Sequence, residues 1–591
     1  MKETSGEDRL ADFTRDKRVL ILSLMAVIIG ALSAVVADVL VWLIAVITNF
    51  AFYQKFSSVF QSPEHHHLGY WVIVVPVIGG LIIGLMARYG SEKIRGHGIP
   101  EALEAILFGR SRMSPKVAVL KPLSSAISIG TGGPFGAEGP IIMTGGAVGS
   151  LFAQFFHLSS AERKTLLVAG AAGGMAAIFA SPVAAVLLAI ELLLFEWRPR
   201  SFIPVAIAAA VAGAIRVPLL GAGPIFPVTP HAALGMEGLL IAAVVGIIAG
   251  LASGLLTKLV YGFEELFERL PIHWMWWPAI GGLFIGIGGY FEPRILGVGY
   301  ETIHGLLRGE IVGAALIGLL LGKSIVWSLA LGSGTSGGVL APLLIMGGAL
   351  GAAEAHFIPV GDVGLWAIIS MAAMMGGTMR SPLTAMVFTL ELTHDLNLLP
   401  ALLVGSLAAH ALTVLLLRRS ILTEKVARRG FHITREYSVD PLTALRVGEV
   451  MDRDVPTVPA RMLVTELSDR VARHDPQLSL RQALPIVDEA GRLVGIITRG
   501  DVLRALEQGV DGKTTVLDAG SRELIVSYPD DILNEAVSKM LRHDIGRLPV
   551  VERQDRHKLI GYLGRAGVMA ARLKLHEEEY VREQGLHTTA A

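Results

Sequence analysis

The sequence predicts an α-helical polytopic membrane protein with internal repeats and broken helices, followed by a C-terminal α/β module. Three observations support this fold class: a strongly apolar composition, two matching Gly- and Pro-rich segments, and a change to charge-dense sequence after Arg418. Of the 591 residues, 52% are hydrophobic and 17% are charged, whereas soluble proteins carry about 25% charged residues. The composition therefore excludes a chain made only of ordinary soluble domains.

The charge balance and the cysteine count exclude several function classes. The formal net charge is +0, so the overall charge does not indicate a nucleic-acid partner, and we expect none. The chain has no Cys, which excludes disulfides, thiolate metal sites and a Cys nucleophile. Adjacent histidines alone are a weak metal signal, so we interpret His65, His66 and His67 as a solvated loop and predict no metal site.

Membrane helices are predicted from the first apolar run onward. Residues 1–18 are polar, and we interpret them as a cytosolic N-terminal segment. The run 19–47 carries one charge, Asp38, and is too long for a signal peptide, so it predicts a retained and tilted membrane helix. Further apolar stretches lie at 71–87, 166–195, 203–215, 239–256, 276–290, 311–331, 365–390 and 398–417.

Several of these stretches are short, Gly-rich or interrupted by Pro, unlike uniform lipid-facing spans. Broken helices are tolerated at membrane depth where their freed backbone groups are buried in protein or line a polar cavity. The pattern therefore predicts a pathway through the membrane rather than a simple anchor.

An internal repeat relates two halves of the apolar region. Matching residues at one constant offset are Gly136 with Gly338, Pro140 with Pro342, Gly145 with Gly347, Gly146 with Gly348 and Gly149 with Gly351. At nearly the same offset, Ser181, Pro182 and Glu191 correspond to Ser381, Pro382 and Glu391. Transporters built from such repeats bind their substrate between the repeats, near the bilayer midplane.

Three Gly-rich turns share one physical character: 96–100, 136–140 and 337–342. Each places glycine before a proline that can begin a helix, and glycine allows close backbone approach. A helix N-terminus carries about half a positive charge and unpaired N–H groups. Three such termini that converge would bind an anion without a buried cation. Small-residue helix packing is the alternative, but three turns, two of them related by the repeat, favour the anion site.

Glu138 is the one carboxylate inside these turns. An ionisable residue within the membrane is a functional candidate by default, and its carboxylate can occupy the position that a permeating anion would take. Protonation or movement of the side chain would then open the pathway, so we predict that Glu138 is a gate. We interpret Glu191 and Glu391, near the ends of apolar runs, as hydrogen-bonded scaffold acids.

The sequence after the membrane region predicts a soluble module of short strands and amphipathic helices. A cluster of five basic residues at the junction indicates a cytosolic C-terminal end; they are Arg418, Arg419, Lys425, Arg428 and Arg429. The predicted organisation comprises the N-terminal segment 1–18, a transmembrane domain 19–430, a linker 431–446, two soluble domains 447–506 and 514–572, and a tail 573–591.

The membrane region resembles the CLC family of chloride channels and proton-coupled anion exchangers. Residues 96–101 resemble the family's GSGIPE motif, 136–140 its GREGP motif and 338–342 its GxFxP motif, while 181–191 resemble the segment that carries the family's internal acids. The resemblance implies inverted repeats, a homodimer in the cell membrane with one anion pathway per subunit, and Glu138 as the gating glutamate. The anion-binding residues that it implies are His97, Gly98, Ile99, Gly136, Ala137, Gly139, Val339, Leu340 and Leu422.

Departures from the family motifs bear on the ion and the mechanism. His97 stands where the family has its anion-binding Ser, Ala137 where it has Arg, and Leu340 where it has Phe. The family's pathway Tyr falls on Leu422, so both expected hydroxyls are absent. Leu192 replaces the proton-transfer Glu of exchangers, which favours a channel or a poorly coupled transporter. Because imidazole has an unperturbed pKa of about 6.5, we also expect His97 to make anion binding respond to pH.

The soluble module resembles a pair of CBS domains. Residues 484–487 and 548–551 match each other as the starts of strands. Residues 495–501 match the family's nucleotide-binding pattern, in which Thr498 and Asp501 would bind phosphate and ribose. Gly564 and Gly567 replace both polar residues in the second copy. The resemblance therefore implies at most one well-formed nucleotide site, for ATP, ADP or AMP, or a purely structural pair.

Two functions remain open from these residues. One is transport of chloride or a related anion through a multi-pass protein of the lipid bilayer, regulated by a cytosolic CBS pair, with no cofactor required. The other is a non-conducting membrane sensor on the same scaffold. Glu138 and His97 lack an accompanying nucleophile, metal cluster or phosphate loop, so we expect no enzyme.

Overall fold

The computed structural model of the chain describes residues 18–429, 442, 445–476, 478, 481–508 and 513–580, with side chains as far as 573. These residues divide into two compact units, one within Met1–Tyr437 and one within Ser438–Val581. Most of the predicted linker 431–446, the segment 1–17 and residues 581–591 lie outside the described residues.

The first unit is helical throughout its two halves. The helices of the first half are α1 (Arg18–Tyr53), α2 (Val74–Tyr89), α3 (Ile99–Leu107), α4 (Pro115–Gly130), α5 (Glu138–Gln154), α6 (Ser160–Phe179), α7 (Pro182–Leu188), which continues as a π-helix (Ala189–Leu194), and α8 (Pro199–Leu220). The helices of the second half are α9 (Met236–Glu268), α10 (Trp277–Phe291), α11 (Tyr300–Leu307), α12 (Gly313–Gly332), α13 (Leu340–Glu354), α14 (Val363–Met379), α15 (Pro382–Thr393), α16 (Leu399–Leu416) and α17 (Ile421–Arg428).

Membrane-spanning length is common among these helices. Within the described residues, seven helical segments are long and apolar enough to cross a bilayer. The predicted helix at 19–47 is present and longer, as α1. The chain is therefore a multi-pass membrane protein, as the composition predicted.

The long apolar stretches 166–195 and 365–390 are each broken once, at the equivalent point. Ala180 ends α6 and Arg380 ends α14, both in the left-handed region at φ 55° and 58°. The next helix begins at Pro182 or Pro382, where proline suits the first helical position and lacks only an N–H that would be unpaired. The Ser-Pro pairs of the repeat therefore mark real helix breaks.

Each half provides a glutamate that caps a helix of the other half. Glu391 accepts hydrogen bonds from the N–H groups of Val183 (3.0 Å) and Ala184 (2.8 Å) at the start of α7. Glu191 accepts from Leu383 (3.2 Å) and Thr384 (2.8 Å) at the start of α15. The exchange confirms both residues as hydrogen-bonded scaffold acids and joins the halves reciprocally.

Glycines bring the helices of each half into close backbone contact. A Cβ on Gly145 in α5 would overlap the carbonyl oxygen of Gly170 in α6, and one on Gly347 in α13 would lie 2.8 Å from Ser370 O in α14. Small residues at such crossings are the usual means of packing helices in a membrane. The repeated glycines 145 and 347 thus position α5 and α13, whose N-termini carry the candidate site.

The second unit contains two small sheets with flanking helices. The strands are β1 (Val458–Pro459), β2 (Ala483–Val487), β3 (Leu493–Thr498), β4 (Arg547–Glu552) and β5 (Asp555–Gly564). The helices are α18 (Val447–Val450), α19 (Val464–Ala472), α20 (Arg499–Glu507), α21 (Val516–Ala519), α22 (Leu533–Arg542) and α23 (Arg565–Tyr580).

In the first sheet, β1 pairs parallel with β2 and β2 pairs antiparallel with β3; in the second, β4 pairs antiparallel with β5. A buried tyrosine connects the two copies, because the Tyr562 hydroxyl donates to Ala483 O at 3.2 Å. Burial raises the pKa of Tyr562 to about 12, so the hydroxyl remains a neutral donor. The predicted α/β module is present.

Candidate anion site

The three Gly-rich turns converge in the interior of the membrane unit. Gly338 N–H donates to Gly136 O at 2.8 Å, and Gly136 N–H donates to Gly338 O at 3.4 Å. This antiparallel bridge joins equivalent residues of the two repeats, as a two-fold relation between them requires. Gly337 N–H also donates to Gly96 O at 3.4 Å, which brings the first turn to the other two.

Glycine is required where these turns touch. Gly98 adopts φ 89°, and a Cβ there would lie 2.7 Å from Gly139 O. A Cβ on Gly139 would overlap His97 O and lie 3.2 Å from Gly338 Cα. The first turn, the start of α5 and the third turn are therefore in direct backbone contact, which larger residues would prevent.

Glu138, the first residue of α5, is fully buried where the turns meet. Its Oε1 accepts a hydrogen bond from the N–H of Leu340, the first residue of α13. In the described part of the chain, its Oε2 has no hydrogen-bond partner. The carboxylate thus lies at the N-terminus of a helix from the opposite repeat, a position that favours negative charge.

The residues around Glu138 offer backbone rather than side-chain donors. Ala137 and Val339 are the N-cap residues of α5 and α13, and neither has a side chain that can cap its helix. Both residues and Leu340 are almost completely buried. The backbone N–H groups of these helix starts are therefore the hydrogen-bond donors that could be offered to an anion here.

His97 and Ile99 lie on either side of Gly98 in the first turn. His97 is 2% exposed, and its Nδ1 has no hydrogen-bond partner within the described residues. Ile99 begins α3 and is fully buried. An imidazole nitrogen without a partner is a group that an anion or water could satisfy.

Leu422 lies in α17, where the resemblance placed the pathway tyrosine. It is fully buried, and α17 packs against α3. The Tyr261 hydroxyl holds this helix by donating to Ile421 O. Leu422 supplies no hydrogen-bonding group, so hydroxyl coordination from α17 is absent at this position.

Lys121 is a site residue that the motifs did not reveal. Its Nζ donates to Ile94 O (2.9 Å), Gly96 O (2.7 Å) and Ser336 Oγ (3.0 Å), which ties the first turn to the third. Lys323 in the second half makes the equivalent contacts, to Ile295 O (2.7 Å) and Gly297 O (3.4 Å). A lone lysine inside an apolar helix, repeated at the offset of the glycines, is the signal that could have found both.

An ionic cluster lies beside the first turn. Glu101, buried in α3, accepts from Gly98 N–H at 3.0 Å. It also pairs with Lys425 and Arg429 of the junction cluster, each at 3.1 Å. These contacts fix the start of α3 to α17, so two of the five junction cations support the site region.

The position next to Glu191 is apolar in the structure, as in the sequence. Leu192 lies in the π-helix and is 1% exposed. Glu191 itself is engaged at the start of α15. Leu192 has no carboxylate, and the carboxylate of Glu191 is already hydrogen-bonded. The position where exchangers of the family carry their inner acid is therefore not titratable in this chain.

The first CBS-like copy contains a cavity of about 180 Å³ that includes Thr498. Apolar side chains line most of it, namely Leu467, Val471, Leu478, Leu484, Ile497, Val502, Leu503 and Leu506. Arg481 and Arg499 add cationic groups. Asp501 is not among the lining residues; it caps α20 together with Thr498, whose Oγ1 donates to Asp501 Oδ2 at 2.7 Å.

Among the described residues, one group of possible metal ligands lies between the 3-10 turn Pro63–His65 and the start of α11. Glu64, His65 and Glu301 bring ligand atoms within 4.8 Å of one another. His65 and Glu301 are exposed, and Arg294 already pairs with Glu64 at 3.1 Å. This arrangement is weaker than a built metal site and lies outside the three turns.

Comparison with known proteins agrees with this geometry. Residues 79–414 match the family model of the voltage gated chloride channel, and residues 447–508 and 516–574 match the CBS domain. An H(+)/Cl(-) exchange transporter, ClcA, of Salmonella arizonae is 29% identical over 434 residues, covering 70% of this chain and 90% of that protein.

Two solved structures share the fold. A slow cyanobacterial Cl-/H+ antiporter matches with a TM-score of 0.63 and 22% identity, covering 70% of this chain and 98% of that one. A eukaryotic CLC transporter matches with a TM-score of 0.61 and 20% identity, covering 93% and 98%. The relatives are named as transporters, which agrees with the expectation from the sequence that the chain is not an enzyme. The chain therefore belongs to the CLC family of anion transport proteins and carries a C-terminal CBS pair.

Proposed function

We propose that the chain transports chloride or a related small anion through a pathway between its two repeats, with Glu138 as the gate. The observation that carries the proposal is the position of the Glu138 carboxylate. It accepts the Leu340 N–H at the start of α13 and is enclosed by the three Gly-rich turns. A carboxylate in that position accepts the backbone hydrogen bond that a bound anion would accept.

Competition between the carboxylate and the anion provides the gating step. While Glu138 is ionised and folded over Gly136 and Gly338, it satisfies the Leu340 N–H and blocks the pathway. Protonation or rotation of the side chain frees that N–H for the anion. Because this site is buried in the protein, backbone donors bind charge more strongly there than they would in water.

The transporter is proposed to be weakly coupled to protons. The curated relative above is named as an H(+)/Cl(-) exchanger, so the comparisons give no support to the channel-like behaviour that the residue pattern favoured. Leu192 still leaves no titratable group beside Glu191. Proton movement then depends on Glu138 and water, which supports a low or variable ratio of protons to anions.

Flux of radiolabelled chloride from liposomes tests the proposal. Glu138→Gln and Glu138→Ala should change the flux and flatten its pH dependence, because both remove the titrating gate. Glu354→Gln is a matched control, since Glu354 is a second carboxylate without a hydrogen-bond partner among the described residues. Proton uptake, recorded in the same vesicles, should be small relative to chloride efflux and should not keep a constant ratio to it.

Unaltered flux and pH response in both Glu138 variants would contradict the gating role. A folded wild type that carries no chloride, nor any other anion that competes for it, would favour the sensor function. Proton uptake locked to chloride at a constant ratio would refute weak coupling alone.

The quaternary and regulatory parts of the proposal rest on the family resemblance. They are a homodimer with one pathway per subunit, a cytosolic CBS pair, and an adenine nucleotide in the Thr498 cavity. The basic cluster at 418–429 supports the cytosolic side by the positive-inside tendency. The cavity's apolar lining beside Arg481 and Arg499 suits a flat base with an anionic tail.

A further inference from the structure

Tyr300 occupies a position in the second repeat that corresponds to Ile99 in the first. Gly98 precedes Ile99 at φ 89°, and Gly299 precedes Tyr300 at φ 78°. Each residue then begins a short helix, α3 or α11. Since the first of these turns forms part of the candidate anion site, its counterpart is a second place at which the chain can approach the pathway.

Tyr300 and Glu138 lie beside the same helix: a Cβ on Gly299, which precedes Tyr300, would lie 2.6 Å from Ile345 Cδ1 in α13, the helix whose start holds the Glu138 carboxylate. The two groups are close enough for their charges to interact, and the Tyr300 side chain is only partly exposed. Among the described residues, no group accepts or donates a hydrogen bond at this partly exposed hydroxyl. A donor without a partner beside the gate is available to an anion.

A fixed segment covers Tyr300 from the other side. Phe226, 1% exposed, packs edge-to-face on Tyr300 with ring centroids 5.6 Å apart. Its N–H donates to Leu392 O at 2.9 Å. Five residues further on, His231 binds Asp395 through its backbone N–H (3.0 Å) and its Nδ1 (2.6 Å). The segment 221–235 is therefore anchored to the second half of the membrane unit and covers one face of the Tyr300 ring.

A buried cation adds positive potential at the same place. Arg216 in α8 is 7% exposed and interacts electrostatically with Tyr300. Its Nη1 donates to Gly221 O at 2.5 Å, while its Nε has no partner in the described part of the chain. A guanidinium with an unused N–H next to an unused hydroxyl is a combination that favours an anion.

We propose that Tyr300 is an anion-binding residue of the pathway, donating its hydroxyl to the anion between Glu138 and the segment 221–235. This inference rests on the proposed anion transport and deepens it. It returns a hydroxyl to a pathway in which His97 and Leu422 have replaced the two expected ones, and it places that hydroxyl on the second repeat. Chloride, a small monatomic anion that accepts hydrogen bonds, fits this chemistry.

Calorimetric titration of the full-length, detergent-solubilised protein with chloride tests the proposal. The comparison is between Glu138→Gln and Glu138→Gln/Tyr300→Phe, so that the gate does not compete with chloride. Phenylalanine keeps the ring contact with Phe226 and removes only the hydroxyl. Because a hydrogen bond to a charged group is lost, we expect chloride affinity to fall about tenfold.

Tyr290→Phe in the Glu138→Gln background is the matched control, because Tyr290 stacks on Tyr70 at 5.0 Å and lies in α10. Its chloride affinity should equal that of Glu138→Gln. Equal affinity with and without the Tyr300 hydroxyl overturns the role of Tyr300 and leaves the proposed function intact. Absence of chloride binding in all three folded proteins overturns both.

Discussion

At the scale of single residues, the hydrogen-bond donor that holds the Glu138 carboxylate belongs to the main chain. Glu138 is held by the N–H of a residue in the opposite repeat, so its charge is stabilised by a helix terminus rather than by a cation. In the proposed gating step, opening therefore requires no ion pair to break; it requires only that the carboxylate lose its charge or move away.

His97 leads to a prediction about pH. Its Nδ1 has no partner among the described residues, so a neutral ring can donate one hydrogen bond to an anion. Burial and the nearby Lys425 lower the pKa of His97 to about 3, so the protonated ring, which adds a full charge, forms only at acid pH. Chloride affinity measured against pH should therefore differ in shape between Glu138→Gln and Glu138→Gln/His97→Ser. Two curves that coincide would show that His97 does not take part in the anion site.

The motifs predicted the turns but not all of the side chains that hold them. Gly98, Gly139 and Gly338 meet as expected, because close backbone approach is what glycine in such a pattern allows. Lys121 was missed, since its three acceptors are two carbonyl groups and Ser336 far along the chain. Tertiary packing determines which carbonyl groups a buried lysine contacts, so a local sequence pattern cannot predict them.

At the scale of helices, the two halves hold each other through their short helices. Glu191 caps α15 and Glu391 caps α7, each with two backbone N–H groups. The Ser-Pro pairs of the repeat lie where these helices begin. The π-helix after α7 was not predictable, because the sequence 189–194 is an ordinary apolar run and its wider turn depends on its neighbours.

The reciprocal caps lead to a prediction about stability. Glu391→Ala should lower the melting temperature of the solubilised protein, because removing a carboxylate cap costs about 1 to 2 kcal/mol. Glu191→Ala should act in the same direction. Glu354→Ala is the control, since it removes a buried carboxylate that caps no helix in the described structure. Melting temperatures for Glu391→Ala and Glu191→Ala at or above the wild-type value would contradict the scaffold role.

At the scale of the whole molecule, a membrane transporter and a CBS pair share one chain. The sequence predicted both because their residue compositions differ. The region before Arg418 has low charge and interrupted apolar runs, and the region after it has many charges and short predicted strands. The family matches at 79–414, 447–508 and 516–574 follow the same division. Asp501 illustrates what the pattern could not specify, since it caps α20 and does not line the cavity.

Nucleotide binding by the full-length protein is the prediction for the second unit. Titration with ATP, ADP and AMP should produce heat, and Thr498→Val should weaken binding several-fold because Thr498 lines the cavity. Thr515→Val is the matched control: Thr515 caps α21 through Asp518 at 2.6 Å and is not a cavity residue. No heat at millimolar nucleotide would leave the CBS pair with a purely structural role.

The central claim is that an anion binds where the Glu138 carboxylate now lies. Anomalous diffraction from crystals of Glu138→Gln grown in bromide tests it most directly, because bromide can be located independently of the protein. The account predicts a bromide peak within hydrogen-bonding distance of the Leu340 N–H, enclosed by Gly98, Gly136 and Gly338. Bromide bound elsewhere in the membrane unit, with these turns closed on one another, would contradict it.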